Sequence, residues 1–163
     1  VDVGAGVVFG FGTDALAPRL GAAVTLAPHE NATLGVRVQS VPRARVERAT
    51  ASADIALVTV GVEGCGRFSP SQIVHAAGCL RVDAGTLIAA GRELDMTQRG
   101  HAPWVAVAFA PSLELGSRAR FRLAAGLEVR VVRPRLTVDG IGDVYHSPTL
   151  GGGLDLGLII LIP

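Results

Sequence analysis

Residues 118–130 have the sequence RARFRLAAGLEVR, in which charged or small residues alternate with apolar ones. Arginine, glutamate, alanine or glycine occupies every even-numbered position, and apolar side chains occupy the odd-numbered positions from 119 to 129. Successive side chains of a β-strand point to opposite faces, whereas a helix would spread these charges around its whole circumference. The segment is therefore predicted to be a strand with one charged face and one apolar face.

Seven further segments show the same period of two, and most of them are long. Their length is close to the roughly 9–11 residues that a tilted membrane-crossing strand needs, whereas strands in globular proteins have about 5–6. We therefore predict a single all-β domain, residues 1–163, folded as an eight-stranded antiparallel up-and-down transmembrane β-barrel. The seven segments are residues 1–12, 19–27, 32–40, 54–63, 79–91, 103–115 and 150–162.

The composition suits a membrane protein but excludes membrane-spanning helices. Apolar residues make up 49% of the chain, and the mean hydropathy is +0.44. No uncharged run reaches the roughly 20 residues that a membrane-spanning helix needs. The net charge of +1 provides no basic surplus of the kind that nucleic-acid binding requires. We therefore expect membrane lipid, and no nucleic acid, as a partner.

The polar faces of the predicted strands carry six arginines and six carboxylates, separated by many glycines. Glycine weakens a strand, so a surface facing solvent gains nothing from it. A narrow lumen needs glycine, because an arginine side chain must fit beside the opposite wall. We therefore predict that these residues form a charge-paired network that plugs the lumen, while the apolar faces contact lipid. The twelve residues are Asp2, Arg19, Arg37, Glu63, Arg81, Asp83, Glu114, Arg120, Arg122, Glu128, Arg130 and Asp155.

The two cysteines, Cys65 and Cys79, flank a long predicted link that follows Glu63. They are expected to meet where two antiparallel strands leave the sheet. An oxidising compartment permits such a pair to form a disulfide. We therefore predict a Cys65–Cys79 bond.

Arginines cluster in the links that are predicted to be long, residues 41–52 and 133–147. Outer-membrane barrels have short periplasmic turns and longer external loops, so these links are assigned to the external rim. Guanidinium groups bind phosphate through paired hydrogen bonds. Lipopolysaccharide is therefore a candidate partner, and simple solvated rim charge is the alternative. The arginines concerned are Arg43, Arg45, Arg48, Arg133 and Arg135.

Catalytic and metal-binding patterns are weak. The local nucleophile and base candidates are Ser147 with His146 and Asp143, and Ser69 or Ser71 with His75. Adjacent residues on an extended chain point to opposite sides, so His146 and Ser147 are poorly placed to pair. The histidines are interpreted as solvated loop residues, and no metal-binding spacing is present. We predict no enzyme activity, no catalytic residue, no metal and no cofactor.

The C-terminal segment DLGLIILI, residues 155–162, resembles the signal by which outer-membrane proteins engage their assembly machinery. The whole chain resembles the eight-stranded outer-membrane β-barrels of the OmpA/OmpX type. A narrower resemblance, to a barrel family of myxobacteria and their relatives, is carried by Cys65, Gly78-Cys79-Leu80, Pro103-Trp104, Arg133-Pro134-Arg135 and Gly142-Asp143-Val144-Tyr145.

The resemblance implies a bacterial outer-membrane location and contact with the assembly machinery during insertion. No settled activity or protein partner comes with it. The expected function is a structural or anchoring module whose surface loops carry any specific role. Two alternatives stay open: an outer-membrane lipid-modifying enzyme of the acyltransferase or deacylase type, and a soluble lipocalin-like binder of apolar ligands.

Overall fold

The computed structural model describes residues 1–9, 16–48, 51–69, 71, 73–92, 99–138 and 142–161. Among these residues no helix is long and apolar enough to cross a membrane. The strands are β1 (Asp2–Phe9), β2 (Ala17–His29), β3 (Ala32–Arg48), β4 (Ala51–Phe68), β5 (Val74–Arg92), β6 (Arg99–Gly116), β7 (Ala119–Val132), β8 (Arg135–Val138), β9 (Gly142–His146) and β10 (Leu150–Ile160).

Strands β1–β7 and β10 form a closed barrel in the order β1-β10-β7-β6-β5-β4-β3-β2, and every neighbouring pair is antiparallel. Pairing of β1 with β10, from Asp2 opposite Ile159 to Phe9 opposite Gly152, closes the sheet. Closure removes the unpaired edges that an open sheet would expose. The predicted eight-stranded antiparallel barrel is confirmed.

The two ends of the barrel differ. The end that we call the terminal end holds the start of β1, the end of β10 and the short β2–β3, β4–β5 and β6–β7 links. The β6–β7 turn follows Gly116, whose φ of +128° is a conformation that glycine adopts most readily. The opposite end, the loop end, holds the longer β1–β2 and β5–β6 connections, the separate β8–β9 hairpin and also the short β3–β4 link. Three short links, the start of β1 and the end of β10 therefore lie at the same end of the barrel.

The strands at the loop end are longer than the sequence predicted. Residues 41–52 were expected to be a link, but β3 and β4 remain paired as far as Arg48 opposite Ala51. One extra residue of β3 lies between Val41 and Ala44, where the register shifts. Such a bulge interrupts the period of two, which is why the sequence pattern ends early.

The long link predicted after Glu63 is also wrong. Strand β4 continues to Phe68 and β5 begins at Val74, so the connection is short. Gly64 and Gly66 occupy the outward positions here and give no hydropathic contrast with their neighbours. Small outward residues therefore concealed the end of the strand.

The outward face of the barrel is apolar. Leu26 is 74% exposed and Phe121 is 73% exposed. Exposed valine or leucine side chains of every barrel strand join them in a broad apolar surface. An apolar surface of this extent marks contact with an apolar environment, and outer-membrane barrels carry such a band. The arrangement is the reverse of a soluble lipocalin-like barrel, in which the apolar faces point inward.

Candidate functional site in the barrel interior

All twelve charged residues predicted for the lumen occupy inward positions on the barrel strands, and each is buried or half-buried. Strand parity explains this placement, because alternate residues share a face and the intervening residues point outward. The interior is therefore lined by both signs of charge, and the pairs described below connect them.

Two ion pairs join residues two positions apart on one strand, which places both side chains on the same face. Arg81 Nε donates to Asp83 Oδ2 at 2.7 Å, and both side chains are only 2% exposed. Arg130 Nη2 and Nε donate to Glu128 Oε1 at 2.6 and 3.0 Å. Arg130 Nη1 also lies 3.4 Å from Ser147 Oγ. These pairs are withdrawn from solvent almost completely.

Three further pairs connect different strands. Arg122 of β7 donates to Asp2 of β1 at 2.5 Å, and Arg37 of β3 donates to Glu63 of β4 at 3.2 Å. Arg19 of β2 pairs with Asp155 of β10, its Nε lying 3.0 Å from Oδ1. The Arg19 and Arg122 pairs reach across an intervening strand, so they tie together the strands on either side of the β1–β10 closure.

Glycines opposite these charges make room for them. Gly61 is directly opposite Asp83, and a Cβ at Gly61 would lie 3.0 Å from the Asp83 carboxyl carbon. A Cβ at Gly153 would lie 2.9 Å from Arg19 Nη2. Any larger residue would collide with the ion pair, so the glycine content reflects the narrow interior.

An apolar cluster lies inside the loop end, above the ion pairs. Tyr145 of β9 is 4% exposed and packs there with buried Trp104, Leu87 and Ile55 of the barrel strands. This cluster was not predicted, because the inward positions of the strands were all interpreted as polar and because Tyr145 falls in residues 133–147, which were predicted to be a link. The available signal was Ile55 and Leu57, which share the inward parity of Glu63.

Two interior residues that were not predicted, Arg67 and His75, lie at the terminal end. Arg67 Nη2 is 3.8 Å from Glu114 Oε2, which also accepts from Arg120 Nη1 at 3.3 Å. His75, interpreted as a solvated loop residue, is only 6% exposed, and that interpretation is wrong. Strand β5 begins at Val74 and turns the His75 side chain inward, where Nδ1 lies 2.7 Å from Ser69 Oγ.

Cys65 and Cys79 are directly opposite each other on β4 and β5 and form a disulfide. The bond lies within the paired ladder rather than where the strands leave the sheet, because β4 and β5 extend beyond it to Phe68 and Ala76. Cys79 is buried on the inward face beside Ala77 and Ala110. The bond therefore links two strands inside the barrel.

The interior offers little for catalysis. Ser69 and His75 are brought together, but the carboxylate opposite His75, Glu114, is bound to arginines. Ser147 is fully buried against Arg130, whereas His146 is exposed. The Asp143 side chain lies outside the described residues. No group of three or more histidine, cysteine, aspartate or glutamate residues able to hold a metal occurs in the described part of the chain.

The arginines predicted for the external rim are in two settings. Arg43, Arg45 and Arg48 lie in β3 rather than in a loop; the Arg43 side chain is 55% exposed and donates to Asp54 at 2.5 Å. The side chains of Arg45 and Arg48 lie outside the described residues. Beside the β8–β9 hairpin, Arg133 is exposed and donates to Thr149 Oγ1 at 2.8 Å, and Arg135 is exposed on β8.

Two solved structures with the same fold are similar to this chain. Neisserial surface protein A matches with a TM-score of 0.65 and 8% identity, over 99% of this chain and 94% of that protein. Ail, the attachment invasion locus protein of Yersinia pestis, matches in its complex with the heparin analogue sucrose octasulfate. Its TM-score is 0.54 and its identity 14%, over 96% of this chain and 92% of that protein.

No protein-family model and no curated protein matches the chain. The narrower resemblance to a myxobacterial family therefore stays a prediction. At the identities found, the structural likeness establishes the fold alone. The chain has the fold of the eight-stranded outer-membrane β-barrels.

Proposed function

We propose that this chain is a small outer-membrane β-barrel with a plugged lumen, which acts as a structural or anchoring module and presents surface loops. The observation that carries the proposal is the division of the barrel into an apolar exterior and an interior of paired charges. Lipid solvates the apolar exterior, and the arginines and carboxylates of these interior pairs neutralise one another.

The plug is supported at two levels of the interior. Eight strands leave a space only just wide enough for side chains, and the buried Arg81–Asp83 and Arg130–Glu128 pairs occupy its middle. At the loop end, Trp104 and Tyr145 belong to a buried apolar cluster. An ion crossing this barrel would have to separate buried ion pairs and then pass apolar side chains, so the barrel does not conduct.

The outer-membrane fold supports the proposed location and orientation. Barrels of this type keep short turns at the periplasmic side and longer loops outside, so the terminal end faces the periplasm. The β8–β9 hairpin then lies at the cell surface with Arg133 and Arg135 exposed. The assembly machinery is the partner during insertion, and it engages the segment that begins at Asp155.

Lipopolysaccharide phosphates are the partner chemistry that suits these exposed guanidinium groups. The complex of Ail with sucrose octasulfate shows a barrel of this fold bound to a polyanion, which supports the same ligand class here. The role proposed is not enzymatic, because the one serine–histidine contact described above has its carboxylate neighbour bound to arginines.

Membrane fractionation combined with gel mobility tests this proposal. The protein should sediment with outer membranes and require detergent for extraction, and the unboiled protein should migrate differently from the boiled protein because the barrel stays folded. A folded monomer that is freely soluble in buffer would contradict it.

A further inference from the structure

The interior charges do not balance at the terminal end. Among the described residues, seven arginines and six carboxylates occupy inward positions of the barrel. The seventh arginine, which was not predicted, is Arg67 at the terminal end. Arg67 shares Glu114 with Arg120: the Arg120 contact is 3.3 Å and the Arg67 contact is 3.8 Å. One carboxylate therefore serves two guanidinium groups.

Arg67 is the less satisfied of these two arginines. Its side chain is 15% exposed, and its Nε atom is buried without a hydrogen-bond partner. The 3.8 Å contact with Glu114 is too long for a hydrogen bond. Buried donors are normally paired, because an unpaired one loses its hydration without compensation. Arg67 Nε thus lacks an acceptor.

His75, which lies diagonally across the β4–β5 ladder from Arg67, has a similar unpaired atom. Its Nε2 is buried without a hydrogen-bond partner, and the whole residue is 6% exposed. Arg67 is directly opposite Ala77, and His75 is the next inward residue along β5. When the Ser69 hydroxyl donates to Nδ1, the proton of the neutral ring lies on Nε2, which becomes a donor. In that tautomer Arg67 Nε and His75 Nε2 are two donors on neighbouring strands at the terminal end.

The other acidic residues of this end do not supply the missing acceptor. Asp2 and Glu63 are each paired with an arginine of their own, and Glu30 is exposed in the β2–β3 turn. Four residues next to the described segments of this end are not described by the structure: Pro70, Gln72, Ile162 and Pro163. None of them has an acidic side chain.

We propose that the terminal end of the barrel binds an oxyanion, a phosphate or a carboxylate, between the Arg67 guanidinium and the His75 imidazole. A guanidinium presents paired N–H groups that match two oxygens of such an anion. His75 Nε2 donates to a third oxygen of the anion or to one of the two oxygens that Arg67 binds. Ser69 is a positioning residue that fixes the ring tautomer. The site is independent of any anchoring role and of which compartment the terminal end faces.

The test is a titration of the full, detergent-solubilised barrel with sodium phosphate at constant ionic strength, followed through the Arg67 Nε–H resonance. The account predicts a saturable shift of that resonance in the wild-type protein. The Arg67→Lys variant keeps the positive charge but loses the paired N–H groups of the guanidinium. In this variant the phosphate-induced shift of a His75 resonance should require at least about tenfold more phosphate, the loss expected for one hydrogen bond to a charged group. The matched control is Arg118→Lys, an exposed arginine in the β6–β7 turn of the same end, which should leave the affinity unchanged.

Separate titrations with acetate and with glycerol phosphate distinguish a carboxylate ligand from a phosphate headgroup. His75→Phe, which keeps a buried ring, should weaken binding of whichever anion saturates the site. A resonance shift that rises linearly with phosphate concentration without saturating would overturn the proposal. A phosphate affinity that Arg67→Lys and Arg118→Lys reduce equally would also overturn it. The wild-type titration alone decides the first of these outcomes, so the test does not depend on the folding of any variant.

Discussion

Replacing Asp83 with asparagine should destabilise the barrel severely while changing its shape very little. Asparagine has nearly the same volume as aspartate, so no cavity forms. The substitution removes only the negative charge that faces Arg81, at a site where both side chains are 2% exposed. Removing one partner of a buried ion pair costs about 3–5 kcal/mol, because the remaining charge stays buried without compensation. We expect Asp83→Asn to lower the free energy of unfolding by that amount.

The assay is reversible urea unfolding of the barrel in lipid vesicles, with the double substitution Arg81→Met/Asp83→Leu as its control. Replacing both members of a buried pair by apolar residues of similar volume is often neutral or stabilising. The double variant should therefore regain most of the stability that Asp83→Asn loses. If Asp83→Asn leaves the free energy of unfolding nearly unchanged, the interior is hydrated and its charges are loosely paired, which would contradict the prediction.

Two further predictions concern the same interior. Glu128→Ala should lower the free energy of unfolding by about 3 kcal/mol, because Arg130 is 1% exposed and loses two hydrogen bonds; an unchanged urea midpoint would contradict this. The Cys65→Ala/Cys79→Ala variant should lose roughly 3 kcal/mol, the loop-entropy value for a link of about 15 residues. Thiol titration of the folded, non-reduced protein should detect no free thiol, and two equivalents would exclude the bond.

The sequence was most informative where the alternation of residue types was uninterrupted. In residues 118–130 a charged or small side chain occupies every inward position, and the structure has Arg120, Arg122, Glu128 and Arg130 on that face. Parity is a property of the extended backbone itself, so it survives without knowledge of tertiary contacts. Which arginine pairs with which carboxylate depends on register and barrel closure, and a sequence pattern contains neither.

The errors have local physical causes. The bulge after Val41 shifts the parity of β3 by one residue, so the strand seemed to end there. Because Gly64 and Gly66 occupy the outward positions, the extension of β4 beyond Glu63 was not predicted, and Arg67 was therefore not assigned to the interior. Tyr145 lies in a connection between β7 and β10, and only the folding of the β8–β9 hairpin onto the barrel mouth brings it to the apolar cluster.

Planar-bilayer recording tests the central claim, a lumen closed by paired charges and an apolar mouth. When the purified wild-type monomer is reconstituted in a bilayer, the current across the bilayer should equal that across a protein-free membrane. In an eight-stranded barrel the side chains fill the interior, and the Arg81–Asp83 and Arg130–Glu128 pairs occupy it here. Stable, open single-channel steps from that monomer would contradict the account.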